Sequence, residues 1–179
     1  MTTTAPRAPD LATLIDRHRD EITEAWARSS QRLPGSRYGE HPLSEIQSWL
    51  SPETDATVTT LSTGSYGPTE AYLQETALAC LAGGFGISEV IENLMLFREA
   101  ALPFILRSYP PGAPQLDKAL AALDAYLRFK VGRFGRYYAE AVDQELRSSE
   151  QRLRTVADFA YDWEYWVDAS GSYIYVSPS

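Results

Sequence analysis

The feature that most constrains this chain is an apolar pattern that continues without a proline from residue 115 to residue 159. Leucine, valine and aromatic residues recur there at intervals of three and four, the spacing of one helical face. Pro114 suits the first turn of such a helix, where its missing N–H costs nothing. At about 1.5 Å per residue the helix would be about 65 Å long, roughly twice the width of a small domain. The pattern therefore predicts a helix that begins in one domain and connects it to another segment.

The composition is that of a globular protein, since 44% of the 179 residues are hydrophobic and 22% are charged. A net charge of −8 argues against nucleic acid and anionic membrane surfaces as partners. The sequence shows neither the apolar run of a signal peptide nor a stretch that could span a bilayer. The one cysteine, Cys80, cannot form an internal disulfide. We therefore expect a cytoplasmic protein that binds neither nucleic acid nor membrane.

Amphipathic segments separated by glycine and proline precede the long helix. Residues 1–9 are predicted to be a disordered tail. Asp10 is predicted to cap a helix that continues to about residue 32. Two short helices are predicted for residues 43–50 and 51–62, because Ser-Pro-Glu at 51–53 resembles a cap followed by a first helical position.

A glycine-rich break separates the next two predicted helices. The first begins at Pro68, and the second follows Ser88, which we expect to cap it. Gly-Gly-Phe-Gly at residues 83–86 forms the turn between them. With the long helix this makes six, so the predicted fold class is all-α.

The end of the long helix narrows to a heptad pattern. One core position holds Ala139, Leu146 and Leu153, and the other holds Val142, Ser149 and Val156. Two and a half heptads containing an alanine and a serine make a weak coiled coil, which becomes plausible when attached to a dimerising body. The pattern predicts a parallel homodimer.

Gly132 and Gly135 lie three residues apart just before this heptad pattern. Each costs up to about 1 kcal/mol in a helix interior. Close approach of another helix would offset that cost, and a local bend is the alternative. We call the predicted dimer and signalling surface the seam; it comprises Gly132, Gly135, Ala139, Val142, Leu146, Leu153 and Val156.

A β-hairpin is predicted after the long helix, because residues 165–176 alternate with period two around a turn at Asp168–Gly171. Two strands are marginal alone in water, so we expect the natural protein to continue beyond residue 179. Residues 157–179 resemble the opening of a PAS domain, with a first strand, a D-x-x-G turn and a second strand ending in Ser-Pro-Ser. The preceding ELRSSEQRLRTVADF is similar to the linkers that feed PAS domains in sensor kinases and cyclic-dinucleotide enzymes.

Residues 11–150 resemble the N-terminal domain of RsbR-type stress-signalling co-antagonists. The resemblance is carried by the Ile22–Trp26 helix, the Tyr72 helix, the Gly84–Gly86 break, the ISEVIENLMLFREA helix and the long last helix. It implies a globin-like helical bundle without haem, in a dimeric cytoplasmic input domain whose last helices lead to an output module. The usual output of that family is absent here, and the PAS-like start stands in its place.

These resemblances imply a globin-like sensor domain at 10–138, a coiled-coil signalling linker at 139–157 and a truncated start of a PAS domain at 158–179. The expected function is that of a sensory and dimerisation domain in a cytoplasmic signal-transduction protein, such as a PAS-containing sensor histidine kinase of a two-component system. Its partners would be a second copy and the downstream PAS and output domains of the same chain. This fragment is not expected to be an enzyme; kinase or cyclic-dinucleotide chemistry would belong to the full-length protein.

We expect no cofactor. A globin-type haem site needs a histidine on a helix between those of Tyr72 and Ile91, and only the glycine-rich turn lies in that interval. His18 and His41 lie elsewhere and do not have the spacing of a metal site. Cys80 lies on an apolar helical face and is expected to be an inert core thiol.

The alternative function is a ligand-binding module. In that hypothesis a small apolar molecule occupies the space between the Tyr72 and Ile91 helices where a globin holds haem. The residues expected to line the pocket are Tyr72, Cys80 and Leu94.

Overall fold

A computed structural model describes residues 10–158 and 165–176. Within them the chain forms six α-helices, a short 3-10 helix at Arg37–Glu40 and one β-hairpin. The elements are α1 (Leu11–Arg17), α2 (Arg19–Gln31), α3 (Leu43–Thr63), α4 (Gly67–Ala82), α5 (Ile87–Ser108), α6 (Pro114–Asp158), β1 (Tyr165–Val167) and β2 (Tyr173–Val176). The prediction of a mostly helical chain with a β-hairpin is confirmed. The predicted tail at 1–9 and residues 159–164 and 177–179 of the predicted PAS segment lie outside the described residues.

The long helix is confirmed as α6, a single element of 45 residues. The described chain divides into two compact units between Tyr138 and Ala139, so α6 contributes residues to both. The first unit contains α1 to α5 and the first part of α6. The second contains the rest of α6 and the hairpin, in which β1 and β2 pair antiparallel.

The single helix predicted for residues 10–32 is wrong, because the structure has two helices that meet at His18. The Asp10 cap is present: its carboxylate accepts a hydrogen bond from the Thr13 N–H at 2.8 Å. His18 leaves helical geometry at φ −111° and ψ 21°, and its ring packs 4.8 Å from that of Phe104. The apolar spacing continues on both sides of this break, so periodicity does not reveal it.

The two short helices predicted for 43–50 and 51–62 are also wrong, because α3 continues through Pro52. Proline removes one hydrogen bond of the helical ladder and disfavours a helix interior. The residues on either side of it nevertheless bury one common face, which includes Ile46, Leu50 and Thr57. Tertiary packing along that face supports α3 as one helix, since packing supplies most helical stability in proteins.

Gly86, not Ser88 as predicted, is the N-cap of α5. Glu89 occupies the third helical position, and its carboxylate accepts a hydrogen bond from the Gly86 N–H at 2.5 Å. The same carboxylate accepts bonds from the Ser36 hydroxyl at 3.0 Å and the Arg37 N–H at 2.8 Å. Glu89 therefore holds the 3-10 turn against the start of α5.

Two clusters of buried side chains form the core of the first unit. The larger is centred on Trp26, whose indole N–H donates to the Asn93 carbonyl at 2.8 Å and whose ring meets Phe97 edge-on at 5.2 Å. The smaller joins α4, α5 and α6 and consists of Leu73, Ala77, Val90, Leu94 and Phe134. No helix in the described part of the chain combines the length and the apolar character that a bilayer crossing needs.

Ile105 and Leu106 on α5 offer a matched test of this packing. Ile105 is fully buried, whereas Leu106 is 51% exposed. Ile105→Ala should lower the free energy of unfolding by about 2–5 kcal/mol, because it removes buried methyl groups and leaves a cavity. Leu106→Ala should cost less than about 1 kcal/mol. Urea denaturation of both variants measures the difference, and equal costs would contradict the packing of α5.

Candidate functional site

The three residues predicted to line a pocket lie around one cavity. Tyr72 and Cys80 on α4 and Leu94 on α5 all contribute to its wall, and its volume is about 520 Å³. That volume lies within the range of small-molecule sites. The remaining lining residues are Tyr38, His41, Trp49, Leu50, Pro52, Glu53, Glu75, Thr76, Ala79, Gly83, Phe85, Val90 and Asn93.

The glycine-rich turn shapes one side of this cavity. Gly84 has φ +73°, a left-handed conformation that glycine adopts without steric cost, and it lets the chain turn from α4 into α5. The turn carries Phe85, whose carbonyl accepts a hydrogen bond from the Tyr138 hydroxyl of α6 at 2.8 Å. The predicted helix–turn–helix corner thus places an aromatic side chain in the cavity wall.

Four rings, those of Tyr38, His41, Trp49 and Phe85, form what we call the aromatic wall of the cavity. Phe85 lies at the centre of the group, 4.9 Å from Tyr38 and 6.1 Å from both His41 and Trp49. His41 and Trp49 meet edge-on at 4.8 Å. The rings support one another, so the wall is a packed surface that does not depend on a ligand for its shape.

A buried ion pair lies behind the cavity. Glu53 of α3 lines the cavity, and its carboxylate accepts a hydrogen bond from the Lys130 ammonium of α6 at 2.5 Å. The side chains are 2% and 0% exposed. The Lys130 nitrogen also lies 5.0, 4.9 and 5.6 Å from the ring centres of Trp26, Phe97 and Tyr126. One carboxylate and three ring faces therefore surround a cation that water does not reach.

Burial shifts the acid–base behaviour of the cavity residues. It raises the pKa of Glu53 above its ordinary value, and the charge of Lys130 and its hydrogen bond offset part of that rise. Burial also raises the pKa of Tyr72, whose hydroxyl donates to the Trp49 carbonyl at 3.1 Å. It raises the pKa of the Cys80 thiol to about 12. Cys80 is therefore protonated at neutral pH and a poor nucleophile or metal ligand.

Neither member of the ion pair is among the site residues predicted from the sequence. Glu53 belongs to the Ser-Pro-Glu stretch that predicts a helix start, and Lys130 lies within the long amphipathic helix. The signal lay in their positions. Glu53 falls on the apolar stripe that contains Ile46 and Leu50, and Lys130 falls on the stripe that contains Leu123, Leu127 and Phe134. A charge on each of two apolar stripes, with opposite signs, indicates a buried pair.

The seam residues lie on α6. Val142, Leu146, Leu153 and Val156 are between 42% and 71% exposed, and Ala139 is exposed as well. A Cβ built at Gly132 or Gly135 would meet no atom within 4 Å beyond its own stretch of helix. No other described helix thus makes the close approach that the glycines suggested.

A second concave surface is larger, at about 1060 Å³, and lies between α1, α3 and α6. Its walls mix apolar residues such as Val58 and Leu61 with charged ones such as Asp16 and Lys118. The three charged residues that line it, Asp10, Asp16 and Lys118, are exposed. We therefore consider the cavity beside Glu53 the better candidate site.

Comparison of the chain with protein-family models, curated proteins and solved structures gave no match. Within residues 10–158 and 165–176, no group of three or more histidine, cysteine, aspartate or glutamate side chains is arranged to hold a metal ion.

Removal of Lys130 should destabilise the protein in a pH-dependent way. Lys130→Met leaves Glu53 without its cation, so the pKa of Glu53 rises further above its ordinary value of about 4.5. At a pH above that ordinary value, Glu53 ionises more readily in the unfolded chain than in the folded one, so its ionisation opposes folding. The loss relative to the unmodified protein should be about 3–5 kcal/mol near pH 8 and smaller near pH 5. Urea denaturation at the two pH values measures it.

The double variant Glu53→Gln with Lys130→Met is the control. It removes both charges, so it should recover much of the lost stability and show no such dependence on pH. A deficit in Lys130→Met that is equal at both pH values would contradict the assignment of a charged Glu53–Lys130 pair.

Proposed function

We propose that this chain is the sensory module of a signal-transduction protein, in which a small molecule occupies the cavity and α6 passes the response on. The observation that carries the proposal is the position of Glu53, which lines the cavity and is bonded directly to Lys130 of α6. A change at the ligand site therefore reaches the longest helix of the chain through one hydrogen bond.

The surroundings of Lys130 make this connection sensitive. The Glu53 carboxylate is its ion-pair partner, and three aromatic rings occupy its other sides. A ligand that draws the Glu53 carboxylate toward itself weakens the ion pair between Glu53 and Lys130. Because a buried cation without a partner is costly, α6 would then shift to another position. Two such states a few kcal/mol apart are sufficient for a switch.

The seam provides the output of this mechanism. Apolar residues are exposed on one face of α6, while charged neighbours pair within the helix, as Arg147 does with Asp143 at 2.6 Å and Arg152 with Glu145 at 2.8 Å. We propose that a second copy covers this face in a parallel pair, with Gly132 and Gly135 open to close approach. A shift of α6 would change the register of the two helices.

The hairpin fits the same proposal. Tyr165, Trp166, Tyr173 and Ile174 are exposed, as expected of strands that belong to a larger sheet. We propose that β1 and β2 are the opening strands of a PAS domain and that the first unit is a globin-like sensor domain of the RsbR type.

A ligand-binding module without a signalling role is the second candidate, because the cavity alone supports it. The two candidates differ in one respect. Only the signalling module predicts that an occupied cavity changes the association of two copies through α6.

Ligand binding can be tested with N-phenyl-1-naphthylamine, an uncharged dye that fluoresces in apolar sites. The protein should bind it with a dissociation constant in the micromolar range, about −8 kcal/mol. Ala79→Phe should abolish binding, because Ala79 lines the cavity and is exposed, so a larger side chain can fill the entrance. Ala82→Phe is the matched control, because Ala82 is exposed on the same helix and is not one of the lining residues. Equal loss of fluorescence in both variants would contradict the site.

The seam can be tested with Leu146→Asp. Because Leu146 is 57% exposed, the change should leave the fold of the single chain intact. It should raise the dimer dissociation constant about tenfold or more, since it places a charge at a core position of both helices. Light scattering at micromolar concentration measures this, and Gln144→Asp, an exposed position off the seam, should have little effect. A Leu146→Asp protein that stays fully dimeric would rule out the seam.

A further inference from the structure

We infer that the cavity selects ligands that bring a hydrogen-bond donor, above all arylalkyl amines, and rejects carboxylates and phosphates. This rests on the proposed ligand-binding function and names the chemical class of its ligand. It follows from three observations on the cavity wall: the sign of its charges, the identity of its rings and the groups that are already engaged.

The charged residues of the wall are acidic. Glu53 and Glu75 contribute carboxylates, and none of the described lining residues is a lysine or an arginine. The basic side chain in the wall is His41, whose Nδ1 lies 3.3 Å from the Glu45 carboxylate. Lys130 lies behind Glu53 and is fully enclosed, so it compensates the carboxylate without offering its ammonium to the cavity. An anionic ligand would therefore meet the Glu75 carboxylate and the paired Glu53 carboxylate without a lysine or arginine to bind, which disfavours it electrostatically.

Arg37 is the cation that comes near the entrance, and its geometry does not change this conclusion. Its guanidinium donates to the Gly83 carbonyl at 2.7 Å and lies 4.0 Å from the Glu40 carboxylate. It is not one of the lining residues. Both contacts hold it outside the cavity, where it braces the glycine-rich turn.

The aromatic wall favours positive charge. Aromatic rings carry negative charge on their faces, so a wall that includes Tyr38, Trp49 and Phe85 suits a cationic or N–H-bearing group better than an anion. A carboxylate and several aromatic faces around one cavity form the usual recognition surface for amines. The same rings bury the apolar body of a ligand.

Two other polar side chains of the wall, those of Asn93 and Tyr72, already make hydrogen bonds within the protein. The Asn93 side-chain oxygen already accepts from the Ser30 hydroxyl at 2.5 Å, and the Tyr72 hydroxyl donates to the Trp49 carbonyl. Glu53 uses one oxygen for Lys130, and a carboxylate can accept about four hydrogen bonds. Glu53 and Glu75 are thus carboxylates of the wall with capacity for a donor on the ligand. A volume of about 520 Å³ admits a fused ring pair with a short amine arm.

The test uses three probes of one shape and different charge, each displacing bound N-phenyl-1-naphthylamine. They are 2-(1-naphthyl)ethylamine, 2-(1-naphthyl)ethanol and 1-naphthylacetate. The amine should bind most tightly, the alcohol next and the acetate about tenfold or more weakly than the amine. Acetate binding as tight as amine binding would overturn the inference while leaving the ligand site of the proposed function intact. Failure of the dye and all three probes to bind would overturn both.

Two variants test which residues cause the preference for the amine over the acetate. Glu53→Gln with Lys130→Met removes both buried charges together, and it should reduce the amine-to-acetate ratio several-fold. Glu75→Gln changes an exposed residue, so its fold is not at risk, and it should reduce the ratio by a smaller factor. An unchanged ratio in both variants would overturn the assignment to these carboxylates.

Discussion

The buried contact between Glu53 and Lys130 is the constraint on which the packing of the first unit depends. Each charge costs several kcal/mol to remove from water, and neither can stay buried without the other. The pair therefore holds α3 and α6 together at this point of the core. Because Glu53 also lines the cavity, the same contact that defines the packing of the first unit joins its candidate site to α6.

Elements whose formation depends on local pattern were predictable from the sequence. The 45 residues of α6, the Gly83–Gly86 corner and the hairpin turn at Asp168 all follow from periodicity and turn chemistry. Elements decided by distant contacts were not. At the backbone break, the His18 ring packs on Phe104. Helix α3 continues through Pro52 because residues on both sides of the proline are buried on one face. Such contacts leave no trace in the spacing of apolar residues.

The candidate site was predictable in part, for the same reason. Tyr72, Cys80 and Leu94 could be named because each lies on the inner face of its helix, and the structure places all three around the cavity. Glu53 and Lys130 could not be named from either helix alone, since a single charge on an apolar stripe is ambiguous. Only the fold shows that the two stripes meet, 77 residues apart in the chain. The charge of the cavity, and hence the kind of ligand it suits, is therefore a property of the tertiary structure.

The weakness of the seam is a requirement of the proposed mechanism. A ligand at 100 times its dissociation constant shifts a conformational equilibrium by at most about 2.7 kcal/mol, and only if it binds one state alone. A long heptad run of leucine and isoleucine would hold two helices in one register far more strongly than that. The seam interrupts its apolar residues with Ala139 and Ser149 and leaves two glycines upstream. The free energy that holds the two helices in one register can thus be comparable to the free energy of a hydrogen bond changed at Glu53. Because the two are similar in size, ligand binding in the cavity can alter the register of the helices.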